Sequence, residues 1–375
     1  MKNLFGGYPG ARYIGTEELS GVTDIVNSRS PYRFYGLDLL KRTEELEALC
    51  SKRFMRGYAL AVSSGTAALH TALYSAGVRS GDEVILPGYA WSADLMAILA
   101  LSAVPVIAPI DKTLGLDADA LVDCITKKTK AIITVHMRGV PCDIIQIINI
   151  AKKHGVKVIE DGAQCIGGLI SGEPVGGVGD ISVLSFQFNK LITSGEGGVV
   201  LTNDAEIYER ARAFHDLGML RMAGNADPEG LEGIKSLGLN YRLSELQSAF
   251  LIPQIDKIDM VLAGLRGNFR LAVESLRPIM DEFGLSIRDM IRDTSPNHAF
   301  LGLTAESKGS FDAACMKMKD LGLPIQKAGR IDGHHFRTWA AFMDREGWEY
   351  RLHKPEQSEE FLNRMMFLEI KSRIE

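Results

Sequence analysis

Short runs rich in Val and Ile alternate with helical segments through the first half of the chain. Strand-length runs stand at DEVILP, PVIAPI, AIITVH and VKVIED, and the segments between them have the apolar spacing of helices. This alternation predicts an α/β fold with a mostly parallel sheet covered by helices on both faces. A long helical stretch then leads into a smaller α/β segment. We therefore expect a large domain at residues 1–255, which includes an N-terminal arm, and a small C-terminal domain at residues 256–375.

Composition and charge argue against nucleic-acid binding, membrane association and a metal site. The formal net charge is -5 and the sequence pI is about 6.0, with no dense Lys/Arg run, so we expect no nucleic-acid partner. The chain has neither an apolar stretch of membrane-spanning length nor a signal-peptide core at its start. Its five cysteines are scattered, without CxxC spacing, and HExxH is absent. These features predict a cytoplasmic protein with reduced thiols, no membrane association and no metal site.

A carboxylate and an amine follow two apolar runs of strand length. Val156 to Glu160 is followed by Asp161, and Ile181 to Phe186 is followed by Lys190 and then SGEGG. In open α/β sheets, ligands bind in the crevice outside the carboxyl ends of the strands. We therefore expect both side chains at one ligand-binding edge.

Pyridoxal phosphate is a cofactor that needs these two groups. Its aldehyde condenses with a lysine amine, and its pyridine nitrogen needs an acidic partner to stay protonated. Lys190 can supply the amine and Asp161 the partner. The two residues alone leave a plainer alternative open, in which Asp161 caps a turn and Lys190 is a solvated lysine.

Small hydroxyl residues and an aromatic residue follow two other predicted strands. Ser64, Gly65 and Thr66 stand at the start of an Ala/Leu-rich helix, where free backbone N–H groups and the helix dipole favour a phosphate. Ser64 is equally suited to be an ordinary helix N-cap. Trp91 follows DEVILP and can either stack on a flat ring or cover the core.

With these pieces in order, the sequence resembles the DegT/DnrJ/EryC1/StrS family of pyridoxal-phosphate-dependent sugar aminotransferases, which have the aspartate-aminotransferase fold, type I. The resemblance covers nearly the whole chain and implies a large domain with a seven-stranded type of sheet. It rests on blocks that occur in the family's order and at about its spacing: SSGTAALHTAL, GDEVILPGYAW, VHMRGVPCD, VIEDGAQCIGG, GDISVLSFQFNKLITSGEGGVVLTND and GLNYRLSELQSA.

The resemblance implies roles for single residues. Lys190 resembles the Schiff-base lysine that also moves protons, and Asp161 resembles the partner of the pyridinium nitrogen. Trp91 matches the aromatic that stacks on the cofactor ring, and Gln164 stands near the ring hydroxyl. The remaining implied cofactor contacts are the phosphate cradle of Ser64, Gly65, Thr66 and Ser185, the neighbouring Gln187, and Asn240, which resembles a residue that reaches the phosphate of the other subunit in a homodimer.

The sequence also departs from the family's common pattern. Gln187 follows Ser185-Phe186 where many sugar enzymes have His, Tyr or Phe, and it resembles members that act on carbocycles. Ala90 stands where Thr is common. The chain ends at EIKSRIE, where most members continue into a terminal helix, so the closing element of the small domain is left open. Candidate substrate contacts, each also readable as an ordinary loop residue, are Arg33, Tyr35, His334, His335 and Arg337.

The resemblance implies a transaminase. Glutamate or glutamine would donate the amino group, and a keto group on a sugar, nucleotide sugar or cyclitol would accept it, with ping-pong kinetics. Some relatives have histidine in place of the lysine and act as dehydratases, so Lys190 favours amino transfer. Two alternatives remain open: a dehydratase or aromatising lyase similar to aminohydroxybenzoate synthase, suggested by Gln187, and a non-catalytic regulator that binds the cofactor or a sugar.

Overall fold

The structure is a computed structural model that describes residues 1–221, 234–330 and 332–374. Its helices are α1 (Thr16–Ser28), α2 (Arg42–Arg53), α3 (Gly65–Ser75), α4 (Ser92–Leu99), α5 (Ala118–Cys124), α6 (Ile144–His154), α7 (Ala205–His215), α8 (Glu245–Phe283), α9 (Lys308–Asp320), α10 (Phe336–Glu346) and α11 (Pro355–Leu362). Its strands are β1 (Tyr58–Val62), β2 (Glu83–Pro87), β3 (Val104–Ala108), β4 (Thr129–Val135), β5 (Lys157–Asp161), β6 (Leu169–Ile170), β7 (Glu173–Pro174), β8 (Ile181–Ser185), β9 (Gly198–Thr202), β10 (Leu285–Ile287), β11 (Thr294–Ser295), β12 (Phe300–Ala305), β13 (Gln326–Lys327), β14 (Arg351–Leu352) and β15 (Met365–Glu369).

A mostly parallel sheet forms the centre of the molecule, as the alternating pattern predicts. Its strand order is β1-β9-β8-β5-β4-β2-β3-β14, and β9 is antiparallel to both of its neighbours. The strands are buried along almost their whole length, which explains why their sequences are nearly continuous apolar runs. Seven of these strands come from the first 202 residues, and the short β14 adds an eighth at the edge beside β3.

Local signals set the ends of several helices. Ser64 accepts a hydrogen bond from the Ala67 N–H and caps α3, and Ser244 caps α8 in the same way through the Gln247 N–H. Gly155 ends α6 in the left-handed conformation, with φ of +67°. Each of these stops or starts uses the residue type that the backbone geometry requires.

The long helix α8 joins the two halves of the chain. It runs from Glu245 to Phe283 and packs against α1 and α2. The predicted domain division at 255/256 falls inside this helix, and the division stays a prediction. Beyond α8, a four-stranded sheet of order β10-β12-β15-β13 and helix α9 form a second layered unit, while α10 packs Phe336, Trp339 and Met343 into the core of the main sheet.

The N-terminal segment crosses between these two units. Phe5 and Ile370 form an antiparallel bridge, and the Gly6 N–H donates to the carbonyl oxygen of Glu369 at 2.9 Å. The Gly10 N–H donates to the carbonyl oxygen of Lys190 at 3.3 Å. The arm therefore connects the last strand of the chain with the loop after β8.

Two further observations concern the composition-based expectations. Each of the five cysteines is a buried, free thiol. Within the described ranges, no helix combines the length and apolar character required to cross a bilayer.

Two glycines on α8 make the packing of the C-terminal segment testable. A Cβ on Gly264 would overlap the carbonyl oxygen of Ser372, whereas a Cβ on Gly267 would meet open space. Both alanine variants gain about 1 kcal/mol of helix propensity. We expect Gly267→Ala to raise the free energy of unfolding and Gly264→Ala to lower it, measured by urea denaturation. Equal effects of the two substitutions would contradict this packing.

Candidate active site

A cavity of about 450 Å³ opens at the carboxyl ends of β5 and β8. Its walls also include the start of α3, the start of α4 and the loop that follows β8. The structure brings most of the sequence-predicted side chains into this one cavity: Ser64, Gly65, Thr66, Trp91, Asp161, Gln164, Ser185, Gln187, Lys190 and His334.

The pairing of β5 with β8 brings Asp161 and Lys190 to the same edge. The two strands are parallel neighbours, and Asp161 stands opposite Val183. After β8 the chain turns, and the Lys190 N–H donates to the carbonyl oxygen of Gln187 at 2.9 Å. This turn directs the chain back over the strand ends, so the lysine side chain lines the cavity near the carboxylate.

Burial shifts the pKa of both groups away from the charged form. Burial lowers the pKa of the Lys190 amine; the attraction of Asp161 opposes this shift, and the nearby Arg138 adds to it. Burial raises the pKa of the Asp161 carboxyl, while the Ala163 N–H at 2.8 Å and the charge of Lys190 oppose the rise. A lysine of lowered pKa has more of the neutral amine that acts as a base or nucleophile.

Asp94 is a second buried carboxyl beside Asp161, and the sequence analysis missed it. Its side chain is fully buried, lines the cavity, and has no hydrogen-bond donor on either oxygen among the described residues. Burial and the neighbouring Asp161 hold its pKa well above the ordinary range. Two adjacent buried carboxyl groups cannot both ionise at low cost, so the raised pKa of Asp94 favours its neutral form. The available signal was one Asp within the apolar helix WSADLMAIL.

The start of α3 and the end of β8 form a cradle with room for an anion. A Cβ on Gly65 would lie 2.8 Å from Cβ and 3.0 Å from Oγ of Ser185, so only glycine permits this approach. Thr66 follows in the first turn of α3, whose N–H groups and dipole favour negative charge. Ser64 caps α3, as the N-cap alternative predicted. It also lines the cavity.

The remaining predicted cofactor contacts have defined positions. Trp91 is 52% exposed and touches the His334 ring at a centroid distance of 4.9 Å, so it lies on the cavity wall rather than over the core. The Gln164 Oε1 accepts a hydrogen bond from the Arg138 N–H at 3.2 Å, and the Gln187 Oε1 accepts one from the Asn189 N–H at 3.0 Å. Asn240 lies outside this cavity, in a bridge with Asp216.

The predicted substrate contacts divide unevenly. His334 lines the cavity, and burial and the charge of Arg138 lower its pKa to about 4. Arg33 is buried against Glu47 at 2.9 Å, and the half-exposed Tyr35 packs on Tyr32.

The other two substrate candidates have structural partners. His335 caps α10 through the Arg337 N–H, and the Arg337 guanidinium pairs with Glu359 on the surface. Of the five substrate candidates, only His334 therefore reaches the cavity of its own chain.

Two further parts of the cavity were not anticipated. Arg138 lines it from the turn after β4, in a left-handed backbone conformation with φ of +53°. The N-terminal arm lines it with Gly7, Tyr8 and Pro9, and the Tyr8 ring packs on Phe188 at a centroid distance of 4.9 Å. Neither contact follows from local periodicity, because each joins segments that are distant in the sequence.

The residues present fit pyridoxal phosphate. The cavity holds a buried amine at Lys190 and a carboxyl at Asp161, and Gly65 approaches Ser185 so closely at its anion cradle that an added Cβ would clash. An aromatic face at Trp91 stands on the same wall. A ring with a basic nitrogen, an aldehyde and a phosphate needs this set of groups.

The cradle can be tested with one methyl group. Gly65→Ala would push a Cβ against Ser185 and so displace two residues that we expect to bind the phosphate, and overpacking of this kind costs about 1–3 kcal/mol. We expect pyridoxal phosphate to bind about tenfold more weakly or worse, measured by equilibrium titration. Gly267→Ala, which meets open space, is the control, and unchanged affinity in Gly65→Ala would rule out this cradle.

The Asp94–Asp161 pair predicts a pH-dependent stability of the cofactor-free protein. Because the pKa of Asp94 is raised in the folded state, the folded protein binds more protons and loses stability as pH rises above the ordinary carboxyl range. We expect Asp94→Asn to raise the thermal midpoint by a few °C at neutral pH, with the gain vanishing below about pH 4. The exposed Asp320→Asn is the control, and a midpoint that is unchanged or lower at neutral pH would contradict the pairing.

The chain is similar in sequence to known proteins over much of its length. An L-glutamine:2-deoxy-scyllo-inosose aminotransferase of Streptoalloteichus tenebrarius is 36% identical over 296 residues, which cover 74% of this chain and 69% of that protein. A GDP-perosamine synthase of Caulobacter vibrioides is 38% identical over 207 residues, 55% of this chain, and the match spans about half (54%) of its length.

Solved structures show the same fold over nearly the whole chain. An aminotransferase from Psychrobacter cryohalolentis superposes with a TM-score of 0.85 at 25% identity, covering 99% of this chain and 95% of that one. A 3-amino-5-hydroxybenzoic acid synthase superposes with a TM-score of 0.80 at 25% identity, covering 98% of this chain and 94% of that one. These are type I folds, and the predicted fold is confirmed. The model of the DegT/DnrJ/EryC1/StrS aminotransferase family matches residues 15–370, so the chain belongs to this family, whose members depend on pyridoxal phosphate.

Proposed function

We propose that the protein is an aminotransferase that moves an amino group from glutamate or glutamine to a keto group of a sugar, nucleotide sugar or cyclitol. The observation that carries the proposal is the meeting of Lys190 and Asp161 in one cavity at the carboxyl ends of β5 and β8. Two relatives, an L-glutamine:2-deoxy-scyllo-inosose aminotransferase and a GDP-perosamine synthase, support amino transfer to a polyhydroxylated ring.

Lys190 is the residue that acts in both halves of the reaction. The bound cofactor supplies an electron sink for the carbon that loses or gains a proton. The Lys190 amine holds the cofactor between turnovers, takes a proton from the α-carbon of the donor and returns one when the acceptor is aminated. Its lowered pKa keeps the amine available as a base.

The other residues of the site would bind the cofactor and orient it. Asp161 would accept a hydrogen bond from the protonated ring nitrogen and stabilise its charge, while Gly65, Thr66 and Ser185 would bind the phosphate. Trp91 would cover one face of the ring, and Gln164, whose oxygen accepts from the Arg138 N–H, would stand on the side of the ring hydroxyl. Ser64, Gln187 and His334 complete the wall that faces the ligands.

We further propose a homodimer with two shared sites in the cytoplasm. Asn240 lies outside its own cavity, as a residue that contributes to a neighbour's phosphate site would. Tyr35 is exposed and also lies outside the cavity of its own chain. The acidic net charge of -5 supports the absence of a nucleic-acid partner.

A lyase of the aminohydroxybenzoate-synthase type is a second candidate. Gln187 lies on the cavity wall, and the structural similarity to such a synthase covers the whole fold. Both enzymes would hold the cofactor on Lys190. The two functions differ in their products, because the lyase releases water from a carbocycle and the transaminase leaves an amine on it.

The donor half-reaction tests the proposal directly. Protein loaded with pyridoxal phosphate should show the visible absorbance band of the lysine-bound cofactor, and glutamate or glutamine should bleach it as the cofactor takes up the amino group. Lys190→Ala should lose the band, while the exposed Lys317→Ala keeps it.

The two failures of this experiment have different meanings. A band that no amino acid bleaches would exclude the transaminase and leave the lyase. Absence of the band in loaded wild-type protein would remove Lys190 from the site.

A further inference from the structure

We propose that Arg138 binds a carboxylate of one of the two substrates, the amino donor or the keto acceptor. This inference rests on the proposed function, since it assigns an additional contact within the same cavity. The residues expected to bind the cofactor predict neither the position of Arg138 nor this role.

The backbone of Arg138 is held in a conformation that a non-glycine residue rarely adopts. Its φ of +53° and ψ of +44° lie in the left-handed region, and such residues cluster at ligand-binding sites where the surroundings enforce them. The Arg138 N–H donates to Gln164, and the Arg138 carbonyl accepts from the Arg288 Nη2 at 3.1 Å. The next residue, Gly139, accepts at its carbonyl from the Asn297 N–H at 3.0 Å.

The guanidinium group has a fixed place but no acid to neutralise it. It lies over the rings of Phe300 and Phe367, with distances to the centroids of 5.0 and 5.2 Å, and its Nη1 donates to the Gln326 Oε1 at 2.7 Å. The Tyr89 hydroxyl also interacts with it. Within the described part of the chain, no carboxylate stands at ion-pair distance from Arg138, and its buried Nε has no acceptor.

Arg288 adds a second buried positive charge next to Arg138. Arg288 is buried, and its Nη2 binds the carbonyl oxygens of Met137 and Arg138. Burial and the charge of Arg138 lower the pKa of Arg288 to about 10. Its Nε and Nη1 also have no acceptor among the described residues. Buried cations without a counterion are costly, and an incoming anion removes that cost.

The acidic side chains around the corner of the cavity formed by Arg138, Asn297 and Phe300 already interact with other groups. Glu369 accepts from the Nε2 of Gln326, so the amide separates it from Arg138. Asp332 stands 3.4 Å from the Nδ1 of His334. The charge of Asp161 interacts with Lys190. The corner formed by Arg138, Asn297 and Phe300 therefore remains positive, and a planar guanidinium fits a carboxylate with two parallel hydrogen bonds.

The carboxylate can come from the amino donor or from the acceptor. Two pairs of unreactive probes separate these sources: glutarate against glutaramide, which imitate the donor, and glucuronate against glucose, which imitate an acidic and a neutral acceptor. Binding is measured by calorimetry on cofactor-loaded protein. We expect the wild type to bind the acid of at least one pair about 10- to 100-fold more tightly than its neutral partner. Glutarate preference identifies the donor as the source, and glucuronate preference identifies the acceptor.

Three variants test whether Arg138 causes the preference. Arg138→Gln should reduce it to about unity, and Arg138→Lys should retain part of it because the charge remains while the fork is lost. The exposed Arg345→Gln removes the same net charge at the surface and should keep the wild-type ratio. Cofactor affinity and circular dichroism are measured for each variant to confirm a folded, loaded protein.

Several results would overturn the inference. A wild type that prefers neither acid has no carboxylate subsite. An Arg138→Gln protein that keeps the preference places the subsite elsewhere, and one that loses pyridoxal phosphate affinity instead makes Arg138 a cofactor contact. These outcomes are independent of amino transfer: if acid binding depends on Arg138 but no amino acid bleaches the cofactor band, the subsite stands and the proposed transaminase function fails.

Discussion

The parallel pairing of β5 with β8 determines where chemistry can occur in this protein. Because the two strands end at the same edge of the sheet, the carboxyl of Asp161 and the loop that carries Lys190 emerge side by side. The strands are buried on both faces, so the groups that follow them stand in a medium of low polarity. Burial then raises the pKa of the acid and lowers the pKa of the amine, and each group's charge opposes the other's shift. The cavity, the phosphate cradle and the cofactor chemistry all depend on this edge.

The parts of the molecule with short-range signals were predictable from sequence. Alternating apolar runs predicted the sheet, and Ser64 before an Ala/Leu-rich segment predicted the start of α3. Most of the residues that line the cavity were predicted because several motifs, each ambiguous alone, occur in one order. Ser64 shows the limit of such reasoning, since the structure gives it the helix-capping contact and also a place on the cavity wall.

The parts that depend on distant contacts were not predictable. In the sequence, Asp94 is a single acidic residue within an apolar helix. Only the fold places it beside Asp161, which lies 67 positions further along the chain. Arg138, Asn297 and Gln326 meet only because the C-terminal unit folds back over the sheet. The reverse also holds: Arg33 and Arg337 have the charge of ligand contacts, yet Glu47 and Glu359 pair with them away from the cavity. Charge and loop position in a sequence do not show whether an arginine already has a partner.

The central claim is that Lys190 is the residue that holds pyridoxal phosphate beside Asp161. The most direct test is to load the protein with the cofactor, reduce the carbon–nitrogen double bond with borohydride, and locate the added pyridoxyl group by peptide mass spectrometry. The account predicts one modified peptide, which contains Lys190, and loss of that modification when the cofactor is first converted by an amino donor. Modification of a different lysine, or no modification of loaded protein, would contradict it.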